Sequence, residues 1–89
     1  MWEVKNTRKL EKQTKKLPES IQMLQQALIQ DLRVKGPNPG KKWKNFSKLG
    51  KDKYHCHLTY HYVACWEVLN NKIKLMEVYY VGSRENAPY

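Results

Sequence analysis

The sequence predicts an α+β domain in which a hairpin of two helices packs on one face of a small, mostly antiparallel sheet. Apolar residues recur at helical spacing in the first half of the chain, whereas the last third alternates and is rich in β-branched and aromatic residues. Eighty-nine residues are enough for one such domain, spanning positions 1–89, and too few for two.

The first 17 residues predict a short edge strand followed by a helix. Residues 1–6 alternate weakly between apolar and polar side chains. Thr7 is a suitable N-cap for a helix over 8–17, most of whose surface is charged. Pro18 then ends this helix and begins the next.

The second helix, over 19–35, has the clearest pattern in the chain. Its apolar residues recur at spacings of three and four, namely Ile21, Leu24, Leu28 and Leu32. Gly36 is a natural stop, and the two prolines that follow within 36–40 cannot continue a regular element. The two helices therefore form a hairpin that must bury its apolar stripe on another element.

A lysine-rich segment follows over 41–53 and predicts a helical turn or a loop. Trp43, Phe46 and Leu49, spaced three apart, would anchor it to the core. Its lysines are Lys41, Lys42, Lys44, Lys48, Lys51 and Lys53. They are either a solvated surface or a rim that contacts phosphates, and their proximity in sequence to the histidines favours the phosphate-binding rim.

The last third of the chain predicts a three-strand antiparallel meander that, with the first strand, forms one small twisted sheet. Its strands are predicted over 54–58, 60–68 and 72–81, with Asn70-Asn71 as a tight turn. An irregular tail over 82–89 ends in Tyr89.

All three histidines fall within seven positions, and two share one strand face. His55 and His57 alternate with apolar neighbours and would lie roughly 6.6 Å apart. RNA cleavage through its own 2′-hydroxyl needs a base, an acid and a cation, which His55, His57, His61 and Arg84 supply. Histidines without a catalytic task are the alternative interpretation.

A zinc site is disfavoured because alternation directs Cys56 away from the two imidazoles, so no metal or other cofactor is predicted. Cys56 and Cys65 are expected to be free thiols in a reducing compartment. The sequence has no signal peptide and no apolar stretch of membrane-spanning length, which predicts a cytosolic protein without a membrane partner.

Charge indicates the class of partner. Seventeen lysines and arginines against eight acids give a net charge of +9 and a pI near 9.7. Such a field favours a polyanion or an acidic protein.

The order of elements and the tail Tyr-Val-Gly-Ser-Arg-Glu-Asn-Ala-Pro-Tyr over 80–89 resemble the RelE/ParE superfamily of type II toxin-antitoxin modules. The resemblance covers essentially the whole chain and implies a RelE-like fold. It also implies an mRNA endonuclease (mRNA interferase) that acts in the 30S A site of the ribosome, in the bacterial cytoplasm. The implied partners are mRNA, the ribosome and a cognate acidic antitoxin.

The resemblance also implies roles for individual residues. Arg84 matches the RelE arginine that supports the transition state, and Tyr89 matches the tail tyrosine. His55 and His57 stand where RelE has two lysines. The segment over 56–62 looks closer still to the YafQ branch, with His57 as general acid or base and His61 in place of an aspartate. The next-strand arginine of RelE is missing.

Two other functions remain open at this point. A ParE-like toxin would poison DNA gyrase without cutting RNA, and the histidine cluster counts against it. A non-catalytic RNA-binding module would rely on the sheet aromatics and the lysines alone.

Overall fold

A computed structural model describes residues 1–89 and confirms the α+β class. The elements in chain order are β1 (Glu3–Asn6), α1 (Arg8–Lys15), α2 (Glu19–Lys35), β2 (Lys44–Gly50), β3 (Lys53–His57), β4 (Tyr62–Asn70) and β5 (Leu75–Ser83). The five strands form one sheet in the order β1-β5-β4-β3-β2. Only β1 pairs in parallel, with β5, and the other pairs are antiparallel.

The helix hairpin forms as the sequence predicts. The Thr7 hydroxyl accepts a hydrogen bond from the Leu10 amide at 3.1 Å and caps α1. Pro18 is the N-cap residue of α2, and Gly36 ends α2 with φ of 89°. Neither helix is long and apolar enough to cross a membrane.

The core lies between the hairpin and one face of the sheet, which we call the inner face. The sheet contributes buried side chains to it, including Cys56, Ala64, Trp66, Met76 and Val78. From α2 the buried residues are Ile21, Gln25, Leu28 and Leu32.

One residue of the predicted apolar stripe is less buried than its polar neighbour. Leu24 is half-buried, and Gln25 takes the central position at 2 % exposure with neither amide atom hydrogen-bonded. Sequence periodicity alone does not distinguish these two neighbours, because both flank the same stripe.

The lysine-rich segment is an edge strand, β2, and the prediction of a loop or helical turn was wrong. Lys44 pairs with His57 and Ser47 with His55, so three steps along β2 face two along β3. The extra residue forms a β-bulge at Asn45, whose φ is 55°. This bulge gives Trp43 and Phe46 their three-residue spacing. The antiparallel meander therefore has four strands and the sheet five.

Aromatic stacking holds β2 to the rest of the sheet. Phe46 stacks on Tyr54 and on Trp66, with ring centroids 5.9 and 6.1 Å apart. All three belong to or pack against the core, and they fix the edge strand from its inner side.

Two indole hydrogen bonds hold the connection between α2 and β2. Trp43 Nε1 donates to the Asp31 carboxylate at 2.8 Å, and Trp66 Nε1 donates to the Pro37 carbonyl at 3.0 Å. The bond from Trp43 is the main reason that the pKa of Asp31 lies below its usual value. A salt bridge from Lys42, at 3.2 Å, adds to it.

Two smaller boundaries also differ from the predictions. The turn after β4 extends to Lys74, so β5 begins at Leu75, three residues later than predicted. The Asn70 side chain closes this turn by accepting hydrogen bonds from the amides of Lys72 and Ile73. The tail begins with one 3₁₀ turn, Arg84–Asn86, where an irregular segment was predicted.

Replacing Gly36 with alanine is expected to lower the free energy of unfolding by about 1–3 kcal/mol, since its backbone conformation is one that only glycine readily adopts. A Cβ there would also lie 2.9 Å from Trp2 Nε1. Gly50→Ala is the matched control, because no atom lies within 4 Å of its Cβ position. Urea unfolding measures both, and equal losses would contradict this account.

Candidate active site

The predicted histidine pair lies on the outer face of the sheet, which is the face turned away from the helices. His55 and His57 are half-buried there, whereas Cys56 between them is fully buried on the inner face. Along β4, Cys65 stands opposite His55 and Val63 opposite His57. The alternation predicted for this strand is confirmed.

The two imidazoles are neighbours, with ring centroids 5.8 Å apart. Burial lowers the pKa of His55, and the charge of His57 lowers it further. His55 Nδ1 lies 2.9 Å from the Ser47 hydroxyl across the β2–β3 pairing. This bond occupies Nδ1 and leaves Nε2 of His55 for a ligand.

The tail returns over the outer face and adds a phenol to the histidines. The Tyr89 ring meets the His55 ring edge-on, with centroids 4.6 Å apart. Burial raises the pKa of Tyr89, which keeps its hydroxyl protonated as a hydrogen-bond donor. The structure thus brings together three residues that lie up to 34 positions apart in sequence.

His61 and Arg84 form an adjoining cluster around Tyr60. The Arg84 guanidinium lies 4.5 Å above the Tyr60 ring, and the His61 ring meets that of Tyr60 edge-on at 5.0 Å. The Arg84 amide donates to the His61 carbonyl at 2.8 Å. The charge of Arg84 reaches Tyr89, where it lowers the pKa of the hydroxyl against the effect of burial.

His61 does not lie where the sequence placed it. It was predicted on a strand, but β4 begins at Tyr62, and His61 is an exposed residue of the preceding turn. Its ring therefore contacts Tyr60 instead of joining the imidazoles of His55 and His57.

Two of the six predicted lysines flank the histidines on the outer face. Lys44 stands directly opposite His57. Lys53 lies on the same strand face as His55, with its Nζ 5.9 Å from the centre of the Tyr79 ring.

The other four lysines are spread more widely. Lys42 pairs with Asp31, and Lys48 lies over the inner-face ring of Tyr54 at 5.9 Å. Lys41 is exposed just before β2, and Lys51 lies in the turn between β2 and β3. The lysines therefore surround the edge strand without forming a single rim.

Sequence reasoning missed Ser47 in this region, and it considered Tyr60 and Tyr79 only among the sheet aromatics. Ser47 faces His55 only because of the bulge in β2, which no residue type in the segment announces. Tyr79 lies beside Cys65 under the outer face, where burial raises the pKa of Tyr79 to about 12 and that of Cys65 to about 11. Both groups are therefore neutral. Tyr60 was predicted as the first residue of a strand, but it lies in the turn before β4 and is 69 % exposed.

The geometry does not assemble a metal centre. Cys56 lies on the opposite face from the imidazoles, and burial raises its pKa to about 12. No three side chains among histidine, cysteine, aspartate and glutamate converge to hold an ion. The chemistry available on the outer face is that of imidazoles, a phenol, a guanidinium and ammonium groups.

Comparison of the structure with solved proteins finds a full-length match. A chain of the archaeal RelE-RelB complex from Pyrococcus horikoshii OT3 matches with a TM-score of 0.75, covering 97 % of this chain and 98 % of that one at 21 % identity. This chain has the RelE fold. The solution structure of the conserved hypothetical protein HP0892 from Helicobacter pylori matches with a TM-score of 0.60 at 17 % identity, covering 96 % and 97 % of the two chains.

The likeness is one of fold, since neither sequence is as much as a quarter identical. No protein-family model matches the chain, and no curated protein matches it by sequence. The RelE fold predicted from the element order and the tail is nevertheless confirmed across the whole chain.

Replacing His57 with glutamine is expected to raise the pKa of His55, because the positive charge of His57 is one of the causes that depress it. Proton–carbon NMR of the imidazole Cε1–H groups, followed through a pH titration, measures the change. His61→Gln is the control and should leave the pKa of His55 unchanged. An unaltered titration of His55 in His57→Gln would show that the two imidazoles are uncoupled.

Proposed function

We propose that the protein is the toxin of a type II toxin-antitoxin module and an endoribonuclease that cleaves mRNA. The observation that carries the proposal is the close set of His55, His57 and Tyr89 on the outer face of a RelE fold. A net charge of +9 gives this small domain the field that a polyanion requires.

His55 acts as the general base in this mechanism. Its depressed pKa keeps the imidazole neutral at neutral pH, and its Nε2 is left free by the bond to Ser47. It removes the proton of a 2′-hydroxyl, whose oxygen then attacks the adjacent phosphorus. The attack forms a 2′,3′-cyclic phosphate and breaks the bond to the 5′-oxygen.

His57 acts as the general acid and protonates the departing 5′-oxygen. Its ring lies 5.8 Å from that of His55, a separation that lets both rings contact one phosphodiester. Arg84 and the phenol of Tyr89 stabilise the charge that develops on the phosphorane oxygens. His61 supports this arrangement through its contact with Tyr60, on which Arg84 rests.

The proposed partners are nucleic acid, ribosome and antitoxin. Lys44 and Lys53 hold backbone phosphates next to the histidines, and the more distant Lys41, Lys42, Lys48 and Lys51 contact mRNA or the 30S A site. A cognate acidic antitoxin would neutralise the same positive surface in the cytoplasm. The full-length likeness to a chain of a RelE-RelB complex supports this last partner.

In a translating extract, the protein is expected to cleave a reporter message, as detected by primer extension. His57→Ala and Arg84→Ala should each lower the cleavage rate, by about 10²–10⁴-fold for the general acid. Arg8→Ala, which removes an exposed arginine from α1, is the control and should cleave normally.

Translation arrest with an intact message would rule out the nuclease and favour a non-catalytic RNA-binding module. Inhibition of DNA gyrase by the purified protein, without RNA cleavage, would instead identify a ParE-like toxin.

The double variant Lys44→Ala/Lys53→Ala is expected to weaken the salt dependence of binding to single-stranded RNA. Loss of two phosphate contacts should reduce the slope of log K against log salt by roughly 1.4. Fluorescence anisotropy with a 2′-O-methyl RNA, which cannot be cleaved through its 2′-hydroxyl, measures binding alone. Lys9→Ala/Lys12→Ala on α1 is the charge-matched control. Equal slopes for the two double variants would contradict the assignment of these contacts.

A further inference from the structure

A groove of about 520 Å³ opens at the free edge of the sheet, beside the histidine pair. Its apolar lining comes from both layers of the fold, namely Leu24, Ala27, Trp43, Leu58 and Tyr60. This volume lies within the range of small-molecule sites, roughly 300–1,000 Å³. The proposed cleavage mechanism uses charged and aromatic residues at the rim of this groove, but it gives no role to the apolar interior.

We propose that this groove binds the base of the nucleotide that adjoins the scissile phosphate. The inference rests on the proposed function, since it takes the histidine pair as the place where the phosphate lies. It assigns the groove to substrate selection and Asn45 and Tyr60 to recognition of the base.

Continuity with the histidine pair is the first argument. His57 lines the groove and is also half of the imidazole pair on the outer face. Lys44, directly opposite His57 across the strands, lines the groove as well. A nucleotide whose phosphate contacts His57 and Lys44 therefore has its base at the mouth of the groove.

The charge of the lining is the second argument. Lys42, Lys44 and His57 line the groove, and no aspartate or glutamate does. The charge of Lys42 is offset by its salt bridge to Asp31, so Lys44 supplies the ammonium group that an anionic nucleotide would meet at the rim.

Tyr60 provides a stacking surface, which is the third argument. Its side chain is 69 % exposed at the groove, although it belongs to no strand and fills no part of the core. The Arg84 guanidinium at 4.5 Å holds the ring by a cation–π contact. An exposed aromatic ring held in this way is the element on which single-stranded nucleic acids stack their bases.

Asn45 provides hydrogen-bonding capacity, which is the fourth argument. It lies in the bulge of β2 at φ of 55°, is exposed, and lines the groove. Its carboxamide offers one acceptor and two donors, the combination that reads the edge of a base. The bulge thus presents a recognition group beside His57.

The groove wall is formed before any ligand binds. Trp43 is 7 % exposed, and its indole donates to Asp31 of α2 at 2.8 Å. This bond joins the start of β2 to the helix that contributes Leu24 and Ala27. A preformed wall reduces the ordering that binding would otherwise require.

NMR spectroscopy of the isotope-labelled protein, titrated with the four nucleoside 5′-monophosphates, tests the proposal. We expect the methyl groups of Leu24 and Ala27 and the Trp43 indole to shift, with affinities that differ among the four bases. Inorganic phosphate should move only resonances near His57 and Lys44. Shifts confined to the phosphate-responsive set with every nucleotide would overturn the proposal.

Two substitutions sharpen the test. Tyr60→Ala should weaken nucleotide binding by roughly 5- to 150-fold through lost stacking, while Tyr60→Phe should retain most of it. Asn45→Ala should weaken it by roughly 2- to 10-fold and narrow the differences among bases. Asn71→Ala, in the exposed turn after β4, is the control. Unchanged affinity in both Tyr60→Ala and Asn45→Ala would contradict the proposal.

The nucleotide titration and the cleavage assay together distinguish failure of the proposed base site from failure of the proposed endonuclease. If the shifts depend on the base but the protein cuts no message, the groove is a base-binding site and the endonuclease proposal is excluded. Cleavage by a protein whose groove resonances never respond to nucleotides would retain the endonuclease and exclude the base site. Displacement of those resonances by an acidic amphipathic peptide, with no response to nucleotides, would make the groove a protein-docking surface and also contradict the proposal.

Discussion

A β-bulge at Asn45 fixes which residues of the edge strand stand opposite the histidines. Because β2 carries one extra residue there, Ser47 faces His55 and Lys44 faces His57. Without that residue the side chains of β2 beyond the bulge would change faces, since a shift of one position inverts a strand. The hydroxyl next to His55 and the ammonium next to His57 share the outer face only because of this irregularity.

The inner side of the sheet keeps the bulged strand in place. Trp43 is bonded to Asp31, and Phe46 stacks on Tyr54 and Trp66, so the strand is fixed on both sides of Asn45. Core packing thus positions the outer face, which carries the polar chemistry. On that outer face, partial burial depresses the pKa of His55, which favours its neutral imidazole.

Most of the fold follows from local sequence, but the pairing of β2 with β3 beside the histidines does not. The cap, the hairpin and the alternation of β3 depend on residue type and spacing, which the sequence displays directly. No residue type or spacing marks the bulge in the sequence, so the three-residue spacing of Trp43 and Phe46 was interpreted as a helical turn. The same limit hid Ser47. His61 was placed on the wrong element, because strand boundaries depend on pairing across the sheet.

The central claim is that RNA is cleaved through its own 2′-hydroxyl by the histidines of the outer face. Mass spectrometry of the cleaved ends of a message with one defined cut site tests it most directly, with a second message that carries a single 2′-deoxynucleotide at that site. The account predicts a 2′,3′-cyclic phosphate and a 5′-hydroxyl from the first message and no cut in the second. A cut at the 2′-deoxynucleotide, or a 5′-phosphate on the product, would contradict it.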